Sequence, residues 1–257
     1  MRIHLLAKSA LHIAFFATSV VLQGCNFAPG KPKPGVEVPR PDAVLDFPTL
    51  YQQNCSACHG AKGMDGSSYP LANPEYQALV DESTLHNVIA QGEPGTLMPA
   101  FAASSGGTLT DRQIDVLAKG IRAAWWKQGT EGASGMPPYH AGTQGNMAEG
   151  QRVYDANCAS CHGPTGKAGS ITNREFLALL SDQGLRTIII AGRPDIGQPD
   201  WKGEFAGHNP GHGRMTDQNV TDVVAWLSSQ RPHGGSSAAP ARDTLSKQPG
   251  KSQGGSE

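Results

Sequence analysis

Two short stretches of this chain carry residues that could do chemistry: Cys55-Ser56-Ala57-Cys58-His59 and Cys158-Ala159-Ser160-Cys161-His162. Each sets two thiols one helical turn apart, with an imidazole directly after the second. Two thiols so spaced can each add to a vinyl group of one porphyrin, and the adjacent imidazole then lies under the iron as its axial ligand. A dithiol–disulfide redox pair would need a βαβ setting that the sequence does not offer. A zinc site drawing on both cysteine pairs would leave both histidines idle. The motifs therefore point to two covalently bound haem c groups, attached at Cys55, Cys58, Cys158 and Cys161, with His59 and His162 on iron. A fifth cysteine, Cys25, stands apart.

The elements that must position these groups come from an internal duplication. Tyr51-x-x-Asn54 and the first motif return as Tyr154-x-x-Asn157 and the second. Downstream, Asn73, Glu75, Leu79, Leu85, Ile89, Gly92 and Pro94 return as Asn173, Glu175, Leu179, Leu185, Ile189, Gly192 and Pro194, and Thr110-Asp111 as Thr216-Asp217. Two complete units follow, 46–130 and 146–232, joined by a Gly- and Pro-rich linker, 131–145. Each unit reads as helices. Asp46 caps a first helix that tolerates Pro48 in its first turn, and Asn146-x-x-Glu149 resembles a capping box. Pro74 opens a short helix after Asn73. Ser83 is expected to cap a helix over 85–91 that Gly92 ends, with a counterpart over 185–191 ended by Gly192. Ile188-Ile189-Ile190 would also suit a strand, but the repeated frame argues for helix. Last come helices over 110–126 and 216–230, where Ile114, Leu117, Ile121 and Val220, Val223, Val224, Leu227 keep helical spacing. The expected fold class is all-α.

The rest of the chain bounds the setting. With 21 Lys and Arg against 22 Asp and Glu, the formal charge is −1, and no basic cluster of the kind nucleic-acid binders carry is present. The N-terminus reads as an export signal over 1–24: Arg2, His4 and Lys8, then an apolar run over 11–22, too short to span a bilayer well. It ends in Leu22-Gln23-Gly24-Cys25, which resembles a bacterial lipobox, so that Cys25 is the expected site of lipid attachment. Residues 25–45 then form a Pro-rich tether, and the Gly-, Ser- and Ala-rich tail, 233–257, is expected to be disordered. From these features the protein is expected outside the cytoplasm, anchored to a bacterial membrane.

Each unit resembles a class I c-type cytochrome domain, and the pair resembles the tandem dihaem cytochromes, over nearly all of 46–232. The resemblance rests on the two motifs, on the small residues after them (Gly60, Gly63, Gly66; Gly163, Gly166, Gly169), and on Gly92-x-Pro94-Gly95-Thr96-Leu97-Met98-Pro99-Ala100-Phe101. It implies bundles of about four to five helices around a covalent haem. It also implies that Met98 is the distal iron ligand of the first unit and that the Pro70 carbonyl orients His59. A thioether there favours ferrous iron and raises the potential. The second unit departs from the pattern. Gly192-Arg193-Pro194-Asp195-Ile196-Gly197-Gln198-Pro199-Asp200-Trp201 sets Gln198 at the Met98 place and Trp201 at the Phe101 place. Several arrangements stay open: Gln198 bound through its amide oxygen, a five-coordinate iron, His208 or His212 completing a bis-His site, or Met215 as ligand. Met215 aligns with Leu109, where an apolar contact before a helix start is expected. His208 and His212 read equally well as solvated loop residues. Ser170 stands in the frame of Pro70, which leaves the partner of His162 open. Trp125, Trp126 and Trp226 read as packing residues, Trp201 as packing or lining a haem edge, and His86 as solvent-facing.

The implied function is electron transfer between a respiratory donor, such as a quinol-oxidising complex, and an oxidase or reductase. The second haem would have the lower potential. An open second iron would instead allow a haem enzyme that reacts with peroxide or a small ligand.

Overall fold

The computed structural model describes residues 39–127, 134–203 and 213–232. Cys25 and the export signal, most of the tether, residues 131–133 of the linker, His208, His212 and the tail lie outside the described residues. The chain divides into two units, Met1–Pro41 and Asp42–Glu257; of the first, only 39–41 are described, and all the α-helices belong to the second.

Among the described residues there are ten α-helices and no strand. Five form the first half: α1 (Phe47–Asn54), α2 (Ser56–His59), α3 (Pro74–Leu79), α4 (Glu82–Gln91) and α5 (Asp111–Trp125). Five repeat the order in the second: α6 (Met147–Asn157), α7 (Ala159–His162), α8 (Arg174–Leu177), α9 (Asp182–Ala191) and α10 (Asp217–Ser229). The Ile188-Ile189-Ile190 run is helical, inside α9.

Local chemistry explains most boundaries. Asp46 accepts from the Thr49 N–H at 3.0 Å, and Asn73 from that of Glu75 at 3.0 Å, with a proline in the first turn of each helix. Full capping boxes stand at Thr110 with Gln113 and at Thr216 with Asn219. Two expected caps differ. The start of α4 is capped by Asp81, not Ser83: its carboxylate takes the Thr84 N–H at 2.7 Å, and Ser83 donates its hydroxyl to the same carboxylate. Asn146 caps α6 with its side chain, but Glu149 does not reach back. Asp222 of α10 takes the Asn146 N–H at 2.7 Å, and Glu149 pairs with Arg152 instead.

In each half the last helix packs on the first. On α5, Ile114, Leu117, Ala118 and Ile121 form one buried stripe against Leu50, Tyr51, Leu85 and Ile89. On α10, Val220, Val223, Val224 and Leu227 do the same against Val153, Tyr154, Leu177 and Ile190. Burying such side chains is worth about 1.5–3 kcal/mol each. Gly120 and Gly150 mark the crossings. A methyl group on Gly120 would run into the Phe47 ring, and one on Gly150 into the Asp222 carbonyl.

The two halves also touch. α3 packs on α9, Ala191 joins the first core and Leu79 borders the second. The described part of the linker is pinned to the second half. Arg186, 3 % exposed, donates to the carbonyls of Pro138 and Tyr139, and Gln183 donates to Tyr139 at 2.8 Å.

Candidate functional site

The two motifs sit at the same backbone break. Cys55 has φ −122° and ψ −35°, Cys158 φ −122° and ψ −36°, and each ends one helix and starts the next. That break turns the short helices α2 and α7 out of line with α1 and α6 and presents both thiols and the imidazole from one turn. A tyrosine on the preceding helix holds the far end of each motif. Tyr51 donates to the Gly60 carbonyl at 2.8 Å, and Tyr154 to the His162 carbonyl at 3.1 Å. All four thiols are free. Burial, with the second thiol nearby, pushes Cys55 and Cys158 up to about 11, so both stay neutral at physiological pH.

The imidazoles are oriented in the same manner. His59 Nδ1 lies 2.7 Å from the Tyr69 carbonyl and His162 Nδ1 2.9 Å from the Gly169 carbonyl. A carbonyl can only accept, so the proton belongs on Nδ1 and the Nε2 lone pair is left for a metal. Burial pushes the His59 pKa down and favours the neutral ring that coordination needs. The resemblance had assigned this role to the Pro70 carbonyl. The structure gives it to Tyr69, the residue before, and the Pro70 carbonyl accepts from the Asn73 N–H instead; in the second half Gly169, one before Ser170, takes the role.

The loops after α4 and α9 match as well. Gly92 and Gly192 end their helices at φ +68° and +67°. The Glu93 N–H then donates to the Met98 carbonyl and the Arg193 N–H to the Gln198 carbonyl, both at 3.1 Å. Met98 and Gln198 therefore occupy equivalent loop positions, both half-buried. The Gln198 amide nitrogen donates to the Ile188 carbonyl at 3.3 Å, which ties the side chain to α9 through its nitrogen end. Met215 takes the place of Leu109. Its N–H donates to the Trp201 carbonyl at 2.8 Å, as that of Leu109 does to Phe101, and its side chain packs on the second core. His86, its side chain 33 % exposed, lies at the surface with its Nε2 3.3 Å from Asp115.

The donor sets fit the group that the motifs imply. Each half offers two free thiols a turn apart and an imidazole with its outer nitrogen fixed by a backbone acceptor. Among the described residues no three of His, Cys, Asp and Glu converge as metal ligands, so the two cysteine pairs do not merge into one four-ligand site. In the second half Trp201, 1 % exposed, keeps its indole N–H buried without a partner among the described residues, and the Arg214 guanidinium lies 5.0 Å over its ring.

Sequence reasoning missed a seam of polar contacts between the halves. Tyr69 donates its hydroxyl to the Gly192 carbonyl at 2.7 Å, Asn73 donates to the Ala191 carbonyl at 2.8 Å, and Lys202 pairs with Glu75 at 3.0 Å. One signal was available: Tyr69 has only Gly169 as its counterpart in the repeat.

A helical pair of domains, each with a thiol–thiol–imidazole turn and an oriented histidine, defines a two-site c-type cytochrome. Comparison with known proteins agrees. Residues 43–119 match the family model for cytochrome c oxidase, cbb3-type, subunit III, and residues 147–231 that for cytochrome c. The chain is 36 % identical over 98 residues to cytochrome c-555 of Prosthecochloris aestuarii, covering 34 % of this chain and 90 % of that one. It is 32 % identical over 128 residues to the cbb3-type cytochrome c oxidase subunit CcoP of Azospirillum sp. (strain B510), covering 46 % of this chain and 38 % of that one. It is 26 % identical over 170 residues to the subunit FixP of Bradyrhizobium sp. (strain ORS 278), covering 61 % of this chain and 54 % of that one. The chain thus spans about half or less of the oxidase subunits it matches. It belongs to the c-type cytochromes, as two tandem class I domains with two covalently bound haem c groups.

Proposed function

We propose that this protein is a redox subunit or carrier that passes single electrons between a respiratory donor, such as a quinol-oxidising complex, and a terminal oxidase or reductase. The observation that carries the reading is the repeated Cys-x-x-Cys-His turn whose histidine gives its Nδ1 proton to a backbone carbonyl in both halves. Haem c, when bound, supplies an iron that cycles between ferrous and ferric. The chain does the rest. Cys55 and Cys58, and Cys158 and Cys161, hold the porphyrins covalently. His59 and His162 would ligate the irons, kept in the coordinating tautomer by Tyr69 and Gly169. Met98 would supply a thioether to the iron of the first site. At the second, Gln198 stands in its place, so the second potential is the lower of the two. The names of the CcoP and FixP relatives support an oxidase as partner. Lipid attachment at Cys25 would anchor the protein at the outer face of a bacterial membrane. The described residues include no helix long and apolar enough to cross one.

A second reading has its own support. The Gln198 nitrogen is engaged with Ile188, a weak ligand held by its helix, which would leave the second iron open to an external ligand. One experiment separates the two. The protein is made in a host competent for cytochrome maturation, its mass is measured, and its low-temperature EPR is recorded. Two haem masses and two low-spin, CO-inert centres support the carrier. One high-spin centre that binds CO or reacts with peroxide supports the enzyme. A polypeptide with no added mass and no Soret band refutes both.

A further inference from the structure

Tyr69 meets both halves of the molecule at once. Its carbonyl, 2.7 Å from His59 Nδ1, accepts the proton that orients the first proximal imidazole. Its hydroxyl donates to the Gly192 carbonyl at 2.7 Å. Gly192 is the residue where α9 ends and the loop carrying Gln198 begins. The hydroxyl is held from the other side by Asn73, 1 % exposed, whose amide donates to it at 3.0 Å and to the Ala191 carbonyl at 2.8 Å. The Arg193 guanidinium covers the ring at 5.9 Å. Burial raises the Tyr69 pKa strongly, so the hydroxyl keeps its proton and stays a donor. The equivalent carbonyl in the second half comes from Gly169, which has no side chain to reach across. The bridge is therefore one-way and is not a by-product of the duplication.

We infer that Tyr69 is a positioning residue that couples the two haem sites: its hydroxyl bond to Gly192 ties the orientation and basicity of His59 to the distal loop of the second site. This rests on His59 and Gln198 belonging to the two sites as proposed above. A firm Nδ1–H···O=C bond gives the imidazole more anionic character and favours ferric iron. Releasing the Tyr69 hydroxyl slackens that bond and favours ferrous iron at the first site.

The test uses the holoprotein and spectroelectrochemical titration, with each wave assigned by variants that lack one cysteine pair. Tyr69→Phe keeps the ring and loses the bond. The first-site ferrous-to-ferric ratio at a fixed potential should rise by up to about tenfold, an upward shift of up to about 59 mV for a one-electron couple. 3-Fluorotyrosine at position 69, nearly isosteric and a stronger donor, should shift the wave the other way and remains informative if the Phe variant fails to fold. Lys202→Met removes another contact of the same seam without touching Tyr69 and should leave the first wave in place. An unmoved first wave in the fluorotyrosine protein, or an equal shift in Lys202→Met, overturns the inference. Failure of the parent protein to hold two haems would instead refute the proposed function, so the two failures are distinguishable.

Discussion

Replacing Arg186 should cost the second half much of its stability and free the linker. The side chain is 3 % exposed and each of its three guanidinium nitrogens donates. Its Nε lies 3.0 Å from the carbonyls of Pro138 and Tyr139, one Nη 2.7 Å from Pro138, the other 3.1 Å from the Thr221 hydroxyl, and it pairs with Asp217. In Arg186→Met the losses are unequal. Tyr139 keeps the Gln183 amide at 2.8 Å, and Asp217, 37 % exposed, can turn to water. Among the described residues Pro138 has no other donor, and a buried acceptor left unmade costs about 1–3 kcal/mol. A lost charged hydrogen bond, about 1.5–3 kcal/mol, brings the total to about 3–5 kcal/mol. For a chain of this size that is a drop in Tm of about 6–20 °C. Differential scanning calorimetry of the holoprotein reads it directly, with Arg186→Lys falling between variant and parent because one ammonium cannot reach all these acceptors. A Tm within about 2 °C of the parent, less than about 1 kcal/mol on the same scale, would refute the view that this arginine pins the linker.

Other outcomes follow from the sites themselves. Glu93, beside Tyr139 and Ser181, is held above the usual carboxylate range by burial, so folding favours its protonated form and the parent loses stability as pH rises through the raised pKa. Glu93→Gln should therefore melt higher than the parent at pH 8 and equally below about pH 4, the unfolded carboxylate value; equal curves at both pH values would exclude the effect. Met98→Ala should remove the near-infrared band of the first haem and lower its potential by on the order of 0.1 V, within the roughly 0.8 V that axial ligands command; an unchanged potential would remove Met98 from the ligand set. The double change Cys158→Ser, Cys161→Ser should lose one haem mass and keep the other, read by intact mass spectrometry, because each pair serves one group.

Reading the residues in order was enough for everything that depends on neighbours in the chain. The spacing of Cys55, Cys58 and His59, and its return at Cys158, Cys161 and His162, specifies the covalent chemistry, because a helical turn brings residues three and four apart together whatever surrounds them. The apolar stripe of α5 and α10, and Thr110 and Thr216 as caps, follow from the same local geometry. The class of protein was legible for that reason, and so was the loss of a Met98 equivalent at Gln198.

What the sequence could not decide were choices among chemically identical partners. Every residue offers a carbonyl, so only the folded turn selects Tyr69 over Pro70 for His59. Asp81 caps α4 because the helix starts at Glu82 and takes Ser83 into its first turn, and Asp222 takes the Asn146 N–H from 76 residues away. The seam of Tyr69, Asn73 and Lys202 joins residues more than a hundred positions apart, a distance over which no periodicity carries a signal. Helical repeat is set by the backbone one turn at a time, whereas pairing across the halves exists only after both are packed, and there the tertiary structure alone assigns each donor its acceptor.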